Sequence, residues 1–171
     1  MIYTGYQGIG KSTLAGKDNF IDLESGNFWV DGKRPEDWFK YYGNIANHLS
    51  KQGFKVFTSS HKDLRNYLKE INADFVAITP IINLKDDWIK KLQDRYNITN
   101  SDKDFKALKN AELMYEQNVR DLLQEKKVLA IRGMNYNLHN LINLTWEDEE
   151  WANDIICSYD EPHGDVIYHS K

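Results

Sequence analysis

The sequence predicts an α/β fold in which a five-stranded, mostly parallel sheet carries helices on both faces. Short apolar segments alternate along the chain with segments of helical periodicity, which is the pattern of strands joined by crossover helices. A glycine-rich stretch follows the first apolar segment directly. The 171 residues, 41% of them hydrophobic, are enough for one domain with an ordinary core. We therefore expect a single domain over residues 1–171.

The first half of the chain alternates between the two kinds of segment. The predicted elements are, in order, a strand at 2–4, a short helix at about 11–16, a strand at Phe20–Ser25 ("FIDLES"), a helix with Pro35 in its first turn and Gly53 at its end, a strand at 54–60 ("FKVFTSS"), a helix marked by Leu64, Leu68 and Ile71, and a strand at 74–79 ("DFVAIT"). The carboxyl ends of parallel strands meet at one edge of a sheet, so we expect a ligand site there.

The second half is mainly helical. The predicted elements are a helix carrying Trp88, Ile89, Leu92 and Tyr96, a break at Asn97–Ser101, a long helix running from Phe105 to Leu122, a strand at 128–131, and a short helix marked by Leu138, Leu141 and Ile142. Ser101 and Asp104 form a capping pair at the head of the long helix. The tail at about 145–171 is acidic and aromatic, and the sequence assigns it no role.

Composition excludes several classes of function. No apolar run approaches the ~20 residues of a membrane-spanning helix, and the first residues do not resemble a secretory signal, so we expect a cytoplasmic protein without a membrane partner. Cys157 is the single cysteine, which excludes an internal disulfide. The net charge of −4 argues against a large nucleic-acid surface. The oligomeric state stays open, a homodimer included.

The stretch "GYQGIGKST" matches the pattern G-x-x-x-x-G-K-[ST] between a predicted strand and a predicted helix. Glycines let backbone amides turn around a phosphate without side-chain clashes. Lys11 is expected to reach the β- and γ-phosphates, the Ser12 hydroxyl to ligate Mg²⁺, and Thr13 to contact the α-phosphate. The sequence therefore predicts a nucleoside triphosphate site. Its binding residues are Gly5, Gly8, Ile9, Gly10, Lys11, Ser12 and Thr13.

This stretch, followed by a strand that ends in acidic residues, resembles the nucleoside and nucleotide kinase branch of the P-loop NTPases. The likeness is strongest to small kinase-like P-loop proteins of bacteriophages. The resemblance extends with decreasing specificity to Ile142. It implies a three-layer α/β/α fold, ATP as the phosphoryl donor, Mg²⁺ as cofactor and a mobile lid. The lid would lie at about 84–101.

Two carboxylates are candidates for the metal and the acceptor. Asp22 and Glu24 stand two residues apart in the predicted strand at 20–25, so their side chains would share one face of it. Asp22 is expected to act in catalysis and to ligate Mg²⁺, and Glu24 to contact the acceptor. The strand next to the loop strand, "KVFTSSHKD", lacks the acidic element that nucleotide kinases commonly carry there. Asp22 is preferred as the metal carboxylate because "FIDLES" is the only predicted strand that ends in carboxylates.

The lid is expected to supply positive charge that stabilises the transferred phosphoryl group. Arg95 lies one helical turn from Lys91 and is the candidate catalytic arginine, since a guanidinium can grip phosphate oxygens by two bonds. A pairing of Arg95 with a nearby carboxylate, such as Asp94 or Asp87, is the structural alternative. Lys90 and Lys91 are weaker candidates, because a lysine on a helix is most often solvated.

The remaining candidates surround the expected acceptor and adenine. Arg65 is placed to bind the acceptor's phosphate, and Arg132 to lie beside the adenine. His61 either contacts substrate or caps a helix. An aromatic group that either stacks on a base or belongs to the core consists of Phe28, Trp29 and Trp38.

The predicted activity is an ATP- and Mg²⁺-dependent phosphotransferase acting on a small-molecule acceptor, a nucleoside monophosphate. The alternatives are a kinase for a nucleoside or another small hydroxyl metabolite, and a nucleotide-binding NTPase without an acceptor. The base-reading N-K-x-D and switch D-x-x-G motifs of a GTPase are missing from the sequence. A nucleotide-driven switch or motor is therefore disfavoured.

Overall fold

A computed structural model gives the fold of residues 1–147 and 167–170. Trp151, Cys157 and most of the predicted tail lie outside these described residues. The strands are β1 (Ile2–Gly5), β2 (Phe20–Asp22), β3 (Lys55–Ser59), β4 (Phe75–Pro80), β5 (Lys127–Ile131) and β6 (Ile167–Ser170). The helices are α1 (Lys11–Leu14), α2 (Trp38–Lys51), α3 (Lys62–Glu70), α4 (Lys85–Thr99), α5 (Asp102–Leu123) and α6 (Leu138–Glu147). Short 3₁₀ helices cover Ser25–Phe28 and Ile82–Leu84.

The strand order is β2-β3-β1-β4-β5-β6. Strands β1 to β5 are parallel, which confirms the predicted α/β class and the five parallel strands. Gly5 at the end of β1 pairs with Ser59 at the end of β3, and Asp22 at the end of β2 pairs with Phe57. β6 pairs antiparallel with β5, and the sequence did not predict it.

Contacts divide the chain into two compact units. The first consists of Met1–Gly5 and Gly10–Ala77, and the second of Tyr6–Ile9 and the described residues from Ile78 onward. The first unit has its own apolar core, formed by Ile2, Trp38, Tyr42, Ala46, Val56, Leu64 and Leu68. The apolar residues of α2 and α3 recur every three or four positions, so each helix presents one apolar stripe to this core.

In the second unit, α4 packs against α5. The break predicted at Asn97–Ser101 is shorter in the structure, because α4 continues to Thr99. Asn100 has a left-handed backbone (φ 47°) and ends α4. Ser101 accepts a hydrogen bond from the Asp104 amide at 3.2 Å and caps α5. Trp88 and Tyr115, one from each helix, are fully buried.

Three details differ from the prediction. The strand predicted at Phe20–Ser25 ends at Asp22, because the chain turns into a 3₁₀ helix at Ser25. The helix predicted to contain Pro35 begins at Trp38, and the Pro35 carbonyl instead accepts from the Trp38 amide in a turn before it. Phe105, the first apolar residue of the predicted long helix, is 42% exposed, whereas a residue on the apolar face of a packed helix is expected to be buried.

A helix that crosses a bilayer has to be about 20 residues long and predominantly apolar. Within residues 1–147 and 167–170, no helix combines the length and the apolar character that crossing a membrane requires.

Candidate functional site

The glycine-rich loop joins β1, which ends at Gly5, to α1, which begins at Lys11. Gly8 (φ 84°) and Gly10 (φ 98°) both have left-handed backbones, a conformation that residues with a Cβ rarely adopt. Reversals of this kind turn successive amides toward one side of a loop and create a concavity for an anion. α1 has only four residues, so its dipole is small. The loop amides and Lys11 would therefore have to supply most of the attraction for an anion.

Lys11 lies over the start of its own loop. Its Nζ donates to the Gly5 carbonyl oxygen at 3.1 Å, and the side chain is half-buried. Ser12 and Thr13 are exposed. A phosphate oxygen reaching Lys11 would have to compete with this carbonyl for the ammonium group. The two hydroxyls face solvent beside it.

The loop residues Tyr6–Ile9 are held by contacts within the second unit. The Trp88 indole Nε1 donates to the Gln7 carbonyl at 2.9 Å, and the Gln7 side chain donates to the Ala107 carbonyl at 2.7 Å. Tyr6 and Ile9 are each 1% exposed. Ile9 therefore has only its backbone to offer a ligand. The side chains of this stretch fix the path of the loop.

Gly8 is the most closely approached point of the loop. A Cβ added there would lie 3.0 Å from Leu92 Cδ2 and 3.3 Å from Trp88 Nε1. The Tyr136 hydroxyl lies 3.5 Å from the Gly8 carbonyl oxygen. A Cβ added at Gly10, in contrast, meets no atom within 4 Å. Gly8 is therefore required for both its conformation and its space, whereas Gly10 is required for its conformation alone.

Tyr42 of α2 connects the ends of two strands in the first unit. Its hydroxyl donates to the Leu23 carbonyl just after β2 and accepts from the Ser59 amide at the end of β3, at 3.0 Å. Burial raises the pKa of Tyr42, and the charges of Asp22 and Glu24 act in the same direction. Both carboxylates thus lie near this hydroxyl at the carboxyl edge of the strands. Glu24 lies beyond the end of β2, so the shared strand face expected for the pair is not present.

The donors present suit Mg²⁺, which prefers hard oxygen ligands and usually keeps several waters and phosphate oxygens. Ser12 offers an exposed hydroxyl directly after the loop, and Asp22 a half-buried carboxylate at the end of β2. Across residues 1–147 and 167–170, no group of three or more His, Cys, Asp or Glu side chains is arranged to hold a metal by itself. Ser12 and Asp22 remain the predicted ligands.

A cationic group that the sequence reasoning missed lies around His61, two residues after β3. Arg34 Nη1 is 3.4 Å from His61 Nε2, and the Arg34 guanidinium lies 4.2 Å from the ring centre of Trp38. Burial lowers the pKa of His61 to about 4 although part of its side chain is exposed, and the positive charges of Arg34, Arg65 and Lys11 act in the same direction. His61 is therefore neutral near pH 7. The nearby segment "VDGK" is a turn signal that could have drawn attention to Arg34.

The contacts of Arg65 and Phe28 are with other parts of the protein, whereas the sequence predicted that both side chains bind substrate. Arg65 is 4% exposed, and its Nη1 donates to the Ser60 carbonyl at 2.5 Å, so little of it is accessible to a phosphate. Phe28 packs against Trp38 and Tyr42 with ring centres 6.1 and 5.2 Å apart. Their binding roles stay predictions. Burial favours a structural role for Arg65, and the ring contacts of the half-buried Phe28 favour one for that residue.

Arg95 pairs with a carboxylate that the sequence reasoning did not consider. Its Nη2 lies 2.5 Å from Asp104 Oδ1, whereas the sequence pointed to Asp94 or Asp87 as the alternative partner. Burial alone would raise the pKa of Asp104, but the Thr99 hydroxyl, the Arg95 charge and the Ser101 hydroxyl together lower it. Arg95 thus strengthens the α4–α5 turn. To bind phosphate it would have to leave Asp104.

Lys91 has two aromatic neighbours. Its Nζ donates to the Tyr136 hydroxyl at 2.9 Å and lies 4.4 Å from the ring centre of Trp88. Burial lowers the pKa of Lys91, and the charge of Arg95 acts in the same direction. Lys90, in contrast, is exposed, as expected for a solvated helix lysine.

Arg132 follows β5 directly and is half-buried. Its predicted place beside the adenine stays a prediction.

A scan against protein-family models found no match for this chain, and a search of curated proteins found no significant relative.

Proposed function

We propose that this protein is an ATP- and Mg²⁺-dependent phosphotransferase of the P-loop NTPase fold, acting on a nucleoside monophosphate. The observation that carries the proposal is the loop "GYQGIGKS", which joins β1 to α1 with left-handed backbone at Gly8 and Gly10. A motif match alone is a hypothesis. The strand, the two backbone reversals and the helix are the surroundings that a phosphate-binding loop needs.

The loop would hold the triphosphate of ATP, with Lys11 at the β- and γ-phosphates and Thr13 at the α-phosphate. Ser12 and Asp22 would hold Mg²⁺, which would supply positive charge that the transferring group requires. An oxygen of the acceptor phosphate attacks the γ-phosphorus, the bond to the β,γ-bridging oxygen breaks, and ADP leaves with that electron pair. Catalysis of this kind consists mainly of positioning and charge stabilisation.

The nature of the acceptor separates this proposal from its rivals. A phosphate oxygen needs no deprotonation in order to attack, whereas the hydroxyl of a nucleoside or another metabolite requires a base, for which Asp22 is the candidate. An NTPase without an acceptor would pass the phosphoryl group to water. The three reactions therefore differ in whether ADP formation depends on a monophosphate, on a nucleoside, or on neither.

The first experiment is an ADP-release assay with ATP and Mg²⁺ and a panel of nucleoside monophosphates and nucleosides. We expect ADP release to rise only when one or more monophosphates are added. Release that rises with a nucleoside alone would favour the hydroxyl kinase. Acceptor-independent release would favour the NTPase.

The loop's role is tested by Lys11→Ala, with Lys17→Ala as the matched control. Lys17 is an exposed lysine just after α1 and outside the motif, so its substitution removes the same charge without touching the loop. We expect Lys11→Ala to lower kcat by at least about 100-fold, since removing one charged donor from a transition state is worth several kcal/mol. Lys17→Ala should retain activity. Equal activity in the two variants would contradict the proposed role of Lys11.

A further inference from the structure

A tight turn places Arg34 in the first unit. Val30 and Lys33 exchange backbone hydrogen bonds of 2.8 and 3.0 Å, and the two residues between them, Asp31 (φ 48°) and Gly32 (φ 76°), both have positive φ. This is the geometry of a type I′ turn, for which Asp-Gly is a preferred sequence. The residues that flank such a turn face one another across it. The turn therefore brings Arg34 next to Trp29.

The contacts of the Arg34 guanidinium are with neutral groups. Its Cζ lies 4.2 Å from the ring centre of Trp38 and 5.2 Å from that of Trp29. Nη2 donates to the backbone oxygen and to Oγ of Ser25, at 3.1 and 3.2 Å, and Nη1 faces His61 Nε2 at 3.4 Å. No ion pair joins Arg34 to a carboxylate within residues 1–147 and 167–170, and its covered Nε has no acceptor there.

An anion would complete this arrangement. A half-buried cation without a counter-ion loses hydration that neutral contacts replace only in part. The aromatic rings and Ser25 fix the orientation of the guanidinium, which lowers the entropy lost when a ligand binds. Nη1 keeps one further proton beyond the contact with His61. The site is thus oriented for an anionic group.

The position of Arg34 also relates it to the loop. Ser59 pairs with Gly5, so His61 and its neighbour Arg34 belong to the strand edge at which the loop begins. The charges of Lys11 and Arg34 both act on the His61 ring. Two cations that bind separate phosphates at one strand edge are what a transfer between phosphates requires.

Resting on the proposed function, we propose that Arg34 binds the phosphate group that the acceptor already carries, and that Arg34 makes the protein select nucleoside monophosphates over nucleosides. This assigns acceptor recognition to the turn at 30–33 and the Arg34 that follows it, and not to the more buried Arg65. His61 holds the guanidinium in place as a neutral hydrogen-bond acceptor. Trp38 holds it by stacking.

The test measures binding by calorimetry in wild type, Arg34→Ala, Arg34→Lys and the control Lys33→Ala. The probes are AMP, GMP, CMP, UMP and dTMP, their five nucleosides, and ATP with Mg²⁺. Lys33 is the adjacent exposed lysine in the same turn, so its substitution removes one charge without touching the Trp38 contact. Circular dichroism and thermal unfolding check that each variant folds.

We expect wild type to bind at least one monophosphate more tightly than its nucleoside. Arg34→Ala should weaken that monophosphate by about 10- to 100-fold, the range for a lost charge-assisted hydrogen bond, and leave ATP and nucleoside binding within about twofold. Arg34→Lys should lie between, because a lysine keeps the charge without the planar fork. Lys33→Ala should bind like wild type.

Three results, each obtained with normal ATP binding, would overturn the inference without affecting the proposed role of the loop. Wild type could bind monophosphate and nucleoside equally, wild type could bind no monophosphate, or Arg34→Ala could keep the wild-type affinity for monophosphate. Failure of wild type to bind ATP would instead overturn the proposed function. If Arg34→Ala does not fold, Arg34→Lys and Arg34→Gln take its place. Monophosphate affinities equal to that of wild type in both of these variants would also refute the assignment.

Discussion

The two left-handed glycines of the loop should differ in their tolerance of alanine. Gly8 and Gly10 have similar torsions, with φ of 84° and 98°, so Ala suffers a comparable backbone penalty at either position. They differ in space. A Cβ at Gly8 approaches Leu92 and Trp88 to 3.0 and 3.3 Å, whereas a Cβ at Gly10 meets nothing within 4 Å. Gly8→Ala and Gly10→Ala are therefore a matched pair that separates crowding from backbone strain.

The magnitudes follow from these contacts. A left-handed Ala costs about 1–2 kcal/mol, offset by about 0.4–1 kcal/mol because the unfolded chain loses freedom. Gly10→Ala should therefore lower the free energy of unfolding by about 1 kcal/mol. Gly8→Ala adds the cost of overpacking, about 1–2 kcal/mol, because the Trp88 indole is held by its hydrogen bond to Gln7 and cannot move freely.

Urea unfolding followed by circular dichroism measures both variants beside wild type. For a slope of about 2 kcal/mol/M, the midpoint of Gly8→Ala should lie about 0.5–1 M below that of Gly10→Ala. Equal midpoints for the two variants, or a lower midpoint for Gly10→Ala, would refute the argument that the second unit crowds the loop at Gly8.

The remaining predictions concern the ionisable side chains of Arg95, Asp104 and His61. Arg95→Ala should lower the free energy of unfolding by about 1 kcal/mol, because it leaves the Asp104 carboxylate without its cation, and it should lower kcat more than ATP affinity if Arg95 also acts in transfer. The pKa of Asp104 in the folded protein is below its ordinary value of 3.8. The ionised Asp104 carboxylate therefore stabilises the folded protein above about pH 4, and this stabilisation is lost as pH falls through the folded pKa. Urea unfolding of wild type and Asp104→Asn should differ at pH 7 and converge in acid. His61 should titrate by NMR well below 6.5, near 4, and Arg34→Ala should raise that midpoint; a value of 6.5 in both proteins would contradict the cluster. Because folding disfavours the charged imidazole, stability should also decrease as pH falls from about 6.5 toward 4.

Features encoded by neighbouring residues were predictable from the sequence. The capping pair Ser101 and Asp104 formed as expected, because a serine side chain three residues before an amide can reach it in one helical turn. The strand, loop and short helix around Lys11 also formed, since torsion requirements at glycines are local. The helices and strands predicted from apolar periodicity also formed, because that periodicity is a property of neighbouring residues.

Features that depend on distant residues were not. Whether Arg95 pairs with Asp87, Asp94 or Asp104 depends on how α4 meets α5, and periodicity gives only the face of each helix. Arg34 meets His61 across 27 positions of sequence, and no local pattern contains that contact. β6 pairs with β5 across a segment of chain whose length alone sets no register.

The hydrogen bond from the Trp88 indole to the Gln7 carbonyl gives the loop a native spectroscopic reporter. Indole emission depends on the polarity and hydrogen bonding around the ring, and Trp88 is fully buried, so its signal is set by the groups that touch it. A loop that rearranges around a ligand would change that emission without any added dye. Subtracting the spectrum of a Trp88→Phe variant would isolate this signal from the other four tryptophans of the chain.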